Sequence, residues 1–256
     1  MSTLIDISEQ AGVRYLHFGS DWIQGAMRIR RPEALELDYT REMMAGLLLR
    51  DGLAADGRLW PRRILLIGLG AASLAKFVYR HCPAAHIDVV EIEPEVVTAA
   101  RQFFHLPPEN ERFSIHIGDG AQYVLTCEAR YDYVFVDGYD SKARTGVLDT
   151  APFHRAVQAR LSGEGLAAYN LLGRARGHAA SVARIVDAFD GRAAAFPLCD
   201  NGNVIVFAVT GTQVSRTIME LRKRAATLKS ETGLDLASTI SRLEAAGGVP
   251  GGSFIL

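Results

Sequence analysis

The sequence has few of the residues that stabilise small secreted proteins or bind metal ions. Three cysteines occur among 256 residues, at Cys82, Cys127 and Cys199, and none belongs to a CxxC pair. An odd number of widely spaced cysteines argues against a disulfide framework and favours a reducing compartment. No His, Cys or Asp spacing matches a common metal site, so we predict no metal. Each thiol is expected to be a small, buried or half-buried apolar side chain.

Long apolar runs and an excess of one charge are also missing. No stretch approaches the roughly 20 apolar residues of a membrane-spanning helix. The N-terminal MSTLIDISEQ has acidic residues where a signal peptide has basic ones. With a formal net charge of -1, the chain has no overall attraction to nucleic acid or to anionic membranes. These observations predict a cytoplasmic protein that binds neither nucleic acid nor membrane.

The chain does contain enough apolar material for one large α/β domain, since 48% of its residues are hydrophobic. Residues 12–31 alternate bulky and polar side chains around Gly19, Ser20 and Asp21, which predicts a β-hairpin. Apolar residues at helical spacing follow over 34–50 and predict a helix.

Strand and helix patterns alternate after this segment. Apolar runs such as RILLIGL, HIDVVEIE and YDYVFVDG predict strands in a mostly parallel sheet with right-handed helical crossovers. Only Asp200, Asn201 and Gly202 separate AAAFPLC from NVIVFAVTG, so the last two strands are expected to be antiparallel neighbours. The predicted fold class is α/β, a methyltransferase-like (Rossmann-like) sheet of seven strands, mostly parallel, with an antiparallel last strand.

The turn Gly68-Leu69-Gly70 lies between the first central strand and a helix. Glycines here let the backbone turn sharply and approach a ligand without a Cβ atom in the way. Ser73 replaces the third glycine of the dinucleotide pattern, and the absence of a GK[ST] sequence excludes a P-loop. The turn favours a cofactor site, and a tight turn without any ligand is the alternative.

Two carboxylates follow at the ends of the next two strands. Glu91, about 20 residues after the turn, is placed to accept hydrogen bonds from both hydroxyls of a ribose. Asp119, which precedes Gly120, is placed to accept one from the exocyclic amine of adenine. The alternatives are an exposed strand-end acid for Glu91 and a helix N-cap for Asp119. Combined with the turn, these residues predict an adenosine-containing ligand.

The fourth strand ends in Val136-Asp137-Gly138-Tyr139-Asp140, which points into the crevice where open α/β sheets bind ligands. Transfer of an alkyl group from a sulfonium to an amine needs an in-line approach and a base for the proton of the amine. Asp137 is the candidate base, and Asp140 is the candidate anchor for a second, cationic amine. A turn cap and a solvated loop acid are the respective alternatives. Asn170, at the end of the fifth strand, is a candidate for the acceptor pocket.

The stretches ILLIGLGAASLAKFV, IDVVEIEPEVVTAARQFF, IHIGDGAQYV and YDYVFVDGYD together resemble the spermidine synthase (polyamine aminopropyltransferase) family. The resemblance covers residues 22–211. It implies that Glu91 and Asp119 hold the donor, that Asp137 is the catalytic aspartate, and that Asp140 and Gln24 contact the acceptor. The implied donor is decarboxylated S-adenosylmethionine, and the implied acceptor is putrescine or a related small amine.

The same resemblance implies a homodimer, for which Trp22, Met43, Met44 and Leu47 offer an apolar surface. Tyr39 and Glu42 match the tyrosine-histidine-glutamate stretch of the family only loosely. Two further residues are given structural interpretations: Tyr169 is expected in the core, and His154 on the solvent face of a helix.

Two positions depart from the family pattern. The first turn has Ala71 and Ala72 where the family has an aspartate, and Lys142 and Arg144 follow Asp140 where the family has D-P-x-G-P-A. The missing acid favours an S-adenosylmethionine-dependent small-molecule methyltransferase as the alternative, because a methyl donor keeps a carboxylate that an aspartate would repel. The basic residues motivate a third hypothesis, a non-catalytic nucleotide-binding homologue. Hydride transfer fits poorly with the GxGxxS turn and with an antiparallel last hairpin.

We therefore divide the chain into three segments. Residues 1–58 form the N-terminal hairpin and helix segment, 59–211 the adenosyl-cofactor-binding domain, and 212–256 a helical tail. The tail ends in GGVPGGSFIL, whose glycines predict a mobile terminus.

Overall fold

A seven-stranded sheet forms the centre of the computed structural model, which describes residues 4–19, 22–52, 59–140, 144–175, 177–200 and 202–256. The strands are β1 (Asp6–Gln10), β2 (Val13–His17), β3 (Ile23–Arg28), β4 (Arg63–Ile67), β5 (His86–Glu91), β6 (Phe113–Ile117), β7 (Tyr131–Val136), β8 (Leu161–Leu172), β9 (Ala193–Ala195), β10 (Asn203–Val209), β11 (Ser215–Thr217) and β12 (Ser253–Ile255). The helices are α1 (Asp38–Met43), α2 (Gly46–Leu49), α3 (Ser73–His81), α4 (Pro94–Phe103), α5 (Gly120–Thr126), α6 (Ala151–Arg160), α7 (His178–Ala188), α8 (Ile218–Thr232) and α9 (Ala237–Ala245). Short 3-10 helices span Gly146–Asp149 and Pro250–Gly252.

The strand order of the central sheet is β6-β5-β4-β7-β8-β10-β9. The first five of these strands pair in parallel, whereas β10 is antiparallel to both β8 and β9. The predicted fold class is therefore confirmed. Asn201, in the predicted turn before β10, lies outside the described residues.

Both faces of the sheet are covered by apolar side chains. Along β4, Ile64 and Leu66 belong to the larger hydrophobic cluster, and Leu65 and Ile67 belong to a second cluster on the opposite face. All four are at most 2% exposed. Because successive residues of a strand point to opposite faces, an uninterrupted apolar run is what a doubly covered strand requires.

The N-terminal segment is a three-stranded antiparallel sheet, β1-β2-β3, followed by two short helices. The predicted hairpin is confirmed, although Ser20 and Asp21 at its tip lie outside the described residues, and β1 was not predicted. The single helix expected over 34–50 is instead split into α1 and α2. Met43 and Met44, at this junction, have no exposed surface, so the apolar surface predicted for a dimer is wrong for these two residues.

The C-terminal segment is helical as expected, with the two helices α8 and α9, and its end is fixed to the protein. Thr217 begins α8 with a capping box that Glu220 completes. Strand β12 pairs antiparallel with β11, and Phe254 within β12 and Leu256 directly after it are buried. The expected mobile terminus is therefore wrong, because two apolar side chains in its last residues reach the core and outweigh the local glycine content.

Cys82 and Cys127 are half-buried and Cys199 is buried, as expected. Among the described residues, no helix has both the length and the apolarity to cross a membrane. The division of the chain into three segments stays a prediction.

Candidate functional site

A cavity of about 720 Å³ opens at the carboxyl ends of the parallel strands. Its walls come from the glycine-rich turn after β4, the ends of β5, β6 and β7, strand β8 and the N-terminal strand β3. All the predicted site residues line it: Gln24, Gly68, Gly70, Glu91, Asp119, Gly120, Asp137, Asp140 and Asn170. The structure thus brings together residues that span more than half of the chain, and their individual roles stay predictions.

Two glycines of the first turn are required by the backbone. Gly68 has φ +97°, and a Cβ atom there would lie 2.3 Å from the carbonyl oxygen of Asp137. Gly70 has φ +50°, and a Cβ atom there would lie 3.2 Å from the carbonyl oxygen of Gln24. A side chain at position 68 is therefore disfavoured both by conformation and by space. The turn brings the ends of β4 and β7 and the N-terminal strand β3 into close contact.

Glu91 holds this turn in place. Its Oε2 accepts a hydrogen bond from the backbone N–H of Leu69 at 2.8 Å, and its Oε1 accepts one from the N–H of Glu93 at 3.0 Å. The residue is 7% exposed, so it is not a solvated strand-end acid. Burial raises the pKa of Glu91, and hydrogen bonds from backbone N–H groups oppose that shift. Each carboxylate oxygen can accept a second hydrogen bond, which leaves capacity for a ligand in the cavity.

Asp119 caps helix α5. Its Oδ1 accepts hydrogen bonds from the backbone N–H groups of Ala121 and Gln122 at 2.7 and 3.1 Å. The helix-cap alternative is therefore observed, and the same exposed carboxylate also lines the cavity. The next residue, Gly120, lies against β4, where a Cβ atom would be 2.4 Å from Cγ2 of Ile67.

Asp137 is the half-buried carboxylate that directly follows β7. Its Oδ1 accepts a hydrogen bond from the Asn170 side chain at 2.7 Å, and the Tyr39 side chain is a second hydrogen-bond partner. Loss of hydration raises the pKa of Asp137 to about 6, although both hydrogen bonds lower it. The group is thus ionised at neutral pH and is a stronger base than an ordinary aspartate.

Asp140 lies at the mouth of the cavity in an ion pair with Arg144. The guanidinium Nη2 and Nε lie 2.7 and 2.9 Å from Oδ2, and the backbone N–H of Arg144 donates to Oδ1 at 2.9 Å. The intervening Ser141, Lys142 and Ala143 lie outside the described residues. Arg144 therefore neutralises the charge of Asp140 through this ion pair, in addition to repelling an incoming cation. An ammonium group bound by Asp140 would compete with this arginine.

Three polar side chains of the site were missed or undervalued in the sequence. Tyr39, on α1, reaches Asp137 from the N-terminal segment. Tyr139 donates from its hydroxyl to the backbone carbonyl of Asn170 at 2.7 Å. Asn203 donates from Nδ2 to Oδ1 of Asn170 at 2.8 Å. The one available signal for Asn203 is an amide at the start of an otherwise apolar strand.

His154 does not face solvent, contrary to expectation, since it is 1% exposed. Its Nε2 lies 3.4 Å from Oδ1 of Asp149, a residue that also accepts a hydrogen bond from Ser181. Tyr169 is in the core as expected, at 1% exposure. Within the described ranges, no group of three or more His, Cys, Asp or Glu side chains is arranged to hold a metal ion.

Residues 39–170 match the profile of the spermine/spermidine synthase domain. The chain is also 34% identical over 241 residues to a polyamine aminopropyltransferase of Neisseria meningitidis serogroup A, an alignment that covers 94% of this chain and 89% of that protein. The chain belongs to the spermine/spermidine synthase family. The resemblance stated from the sequence is thereby confirmed.

Solved structures agree on the fold of this family member. A probable spermidine synthase from Corynebacterium glutamicum superposes with a TM-score of 0.71 at 19% identity, covering 89% of this chain and 84% of that one. Human methyltransferase-like protein 13, solved in complex with SAH, superposes with a TM-score of 0.66 at 26% identity, covering 77% and 93% respectively. The fold therefore occurs in proteins named for aminopropyl transfer and for methyl transfer.

Proposed function

We propose that this protein is an aminopropyltransferase, which moves the aminopropyl group of decarboxylated S-adenosylmethionine to a small amine such as putrescine. The observation that carries the proposal is the half-buried Asp137, which faces the cavity next to the glycine-rich turn and has its pKa raised to about 6 by loss of hydration. Family membership and the name of the Neisseria relative support the same reaction class.

The lining of the cavity supports the assignment of an adenosyl sulfonium donor. Gly68 and Gly70 line the cavity at the turn, Glu91 retains acceptor capacity for the ribose hydroxyls, and Asp119 offers a carboxylate at the next strand end. The charged side chains of the described cavity wall are predominantly acidic, which suits a cationic donor and a cationic acceptor. The donor, when bound, supplies an alkyl carbon whose leaving group is a neutral thioether.

In the proposed reaction, ionised Asp137 attracts the ammonium form of the acceptor and takes a proton from its nitrogen. The electron pair freed on the nitrogen forms the nitrogen–carbon bond, the carbon–sulfur bond breaks with its electron pair going to sulfur, and the proton stays on the carboxylate of Asp137. An acceptor amine has an ordinary pKa near 10. The acceptor is therefore protonated at neutral pH, and the base is needed to free the electron pair of the nitrogen before the new bond forms.

The test is the release of the thioether product from decarboxylated S-adenosylmethionine in the presence of putrescine and a panel of related amines. We expect Asp137→Asn to lower kcat by about 100-fold or more while the thioether product still raises Tm. Asp187→Asn is the matched control, because it removes a carboxylate that is exposed on α7. An unchanged rate in Asp137→Asn, or no thioether release with any amine, would contradict the proposal.

A second candidate is methyl transfer from S-adenosylmethionine. It is favoured by the first turn, where the buried Ala71 and Ala72 place no acid against the end of the donor, and by the similarity to human methyltransferase-like protein 13. A thermal shift and methyl transfer with S-adenosylmethionine, alongside no response to its decarboxylated form, would replace the first proposal with this one.

We further propose that the protein acts as a cytoplasmic homodimer. The absence of a disulfide at Cys82 and Cys127 is consistent with a reducing compartment. Trp22 and Ile23, which are 61% and 50% exposed on the N-terminal segment, supply apolar surface for a subunit contact. Light scattering after size exclusion tests the dimer, and a monomeric mass at micromolar concentration would refute it.

A further inference from the structure

A row of three polar side chains connects neighbouring strands next to the cavity. Asn203 Nδ2 donates to Asn170 Oδ1 at 2.8 Å, and Asn170 Nδ2 donates to Asp137 Oδ1 at 2.7 Å. In the antiparallel register, Asn203 lies opposite Leu172 and Asn170 lies opposite Ile205, so the two asparagines are diagonal neighbours on one face of the sheet. Both are buried, at 7% and 5% exposure.

The order of donors and acceptors in this row follows from its charged end. An ionised carboxylate only accepts, so Asn170 must turn its amide NH2 group towards Asp137. Its carbonyl oxygen then faces Asn203, which must supply a donor. A flipped Asn170 would instead place its oxygen against the carboxylate. That arrangement repels the ionised form and accepts a hydrogen bond only from the protonated form.

We propose that Asn203 is a positioning residue that selects the orientation of Asn170 and thereby keeps Asp137 ionised near neutral pH. The proposal rests on the assignment of Asp137 as the proton acceptor of the proposed function. It assigns no contact with substrate to Asn203, whose effect passes through the amide of Asn170.

Other titratable groups also face Asp137 from the elements packed around it. They are Tyr39 on α1, Tyr139 in the same loop and Glu91 at the end of β5, with Cys199 close to Tyr39 and Asp149 close to Tyr139. Asp119, Asp140, Glu93 and Arg144 share the cavity wall. All of these are kept when Asn203 is replaced. A change in the titration of Asp137 between variants therefore reports the loss of the Asn203 amide.

The test follows the carboxyl ¹³C signal of Asp137 against pH in the unliganded protein, with the signal assigned by its loss in Asp137→Asn. We expect Asn203→Leu to raise the midpoint by about one pH unit, because the orientation that favours the charged form is no longer selected. A midpoint that stays within a few tenths of a unit would overturn the proposal. If the leucine variant does not fold, Asn203→Ala removes the same donor and is expected to shift the midpoint in the same direction.

Two controls separate positioning from a general loss of stability. Val204→Ala removes a buried side chain that packs in the cluster on the opposite face, and it should lower Tm without moving the midpoint. In an Asn170→Leu background, Asn203→Leu should add no further shift. An equal shift in that background would show that Asn203 does not act through Asn170, and would also overturn the proposal.

The acid limb of the pH–rate profile should move by the same amount as the titration midpoint. Because the titration is measured without turnover, it tests the positioning role of Asn203 independently of the proposed reaction. Absence of aminopropyl transfer together with a shifted midpoint would refute the function and leave the positioning role intact.

Discussion

Substitution of Gly68 by alanine tests how the glycine-rich turn controls the position of Asp137. Gly68 combines φ +97° with a position where a Cβ atom would lie 2.3 Å from the backbone carbonyl oxygen of Asp137. Gly177 is a matched control, since it has φ +92° but no heavy atom within 4 Å of an added Cβ. Both alanine variants carry the conformational cost of a positive φ, about 1 to 2 kcal/mol. Only the change at Gly68 also displaces backbone.

The size of that displacement follows from the contact distance. Ordinary van der Waals contact of a Cβ atom begins at 3.4 Å, so the Asp137 carbonyl must move by about 1 Å relative to the turn. A misplacement of this size between reacting groups costs roughly 100-fold in rate. We therefore expect Gly68→Ala to lower kcat/KM by about two orders of magnitude. Gly177→Ala should lower only the free energy of unfolding.

Calorimetric binding of the thioether product, the aminopropyl-transfer rate and urea denaturation separate these effects. Gly68→Ala should lose both affinity and rate, whereas Gly177→Ala should keep both and lose only stability. If Gly68→Ala binds and reacts like Gly177→Ala, the close approach of the turn to Asp137 has no functional role, and the argument from this contact fails.

Three other outcomes are expected. The rate should rise with pH through an apparent pKa of about 6, because only ionised Asp137 accepts a proton; a rate that is flat between pH 5 and 7 would contradict this. Burial raises the pKa of Glu42 to about 7 despite its ion pair with Arg242. The folded state therefore favours protonated Glu42, and the stability that this protonation contributes is lost as pH rises from 4.5 through 7. Glu42→Gln should remove about 3 kcal/mol of this pH dependence from the unfolding free energy, and an unchanged slope in urea denaturation would refute it. Phe254→Ala should cost about 3 kcal/mol of stability by thermal denaturation, whereas Ile255→Ala, at an exposed position, should cost far less; equal losses would show that β12 is not anchored by Phe254.

The central sheet could be predicted because its strands correspond to apolar runs in the sequence. A strand covered on both faces, such as β4, needs no polar alternation, and the glycine-rich turn directly after it marks the carboxyl edge. Glu91 and Asp137 were found because they follow such runs without a gap. Their shared location at one edge of a parallel sheet then follows from topology alone.

Features that depend on distant partners could not be predicted in the same way. His154 looked like a surface residue, because nothing in its own helix shows that Asp149 and the ring of Tyr169 meet it in the interior. Asn203 carries no local sign that Asn170 needs a donor 33 positions away in the sequence. A polar group is buried only where its partner is provided, and that partner is fixed by tertiary structure.

The missing acid of the first turn has a steric cause in this chain. Strand β3 approaches so closely that a Cβ atom on Gly25 would lie 2.5 Å from Cβ of Ala71, and Ser73 donates from its hydroxyl to the backbone carbonyl of Ala26 at 3.0 Å. Ala71 is 2% exposed, so a carboxylate at this position would displace β3 or lose its hydration. The substitution Ala71→Asp alone, which places an acid in the turn, is therefore expected to destabilise the N-terminal segment and not to improve donor binding. Negative charge that complements a cationic donor must therefore come from side chains at the strand ends, such as Glu91 and Asp137.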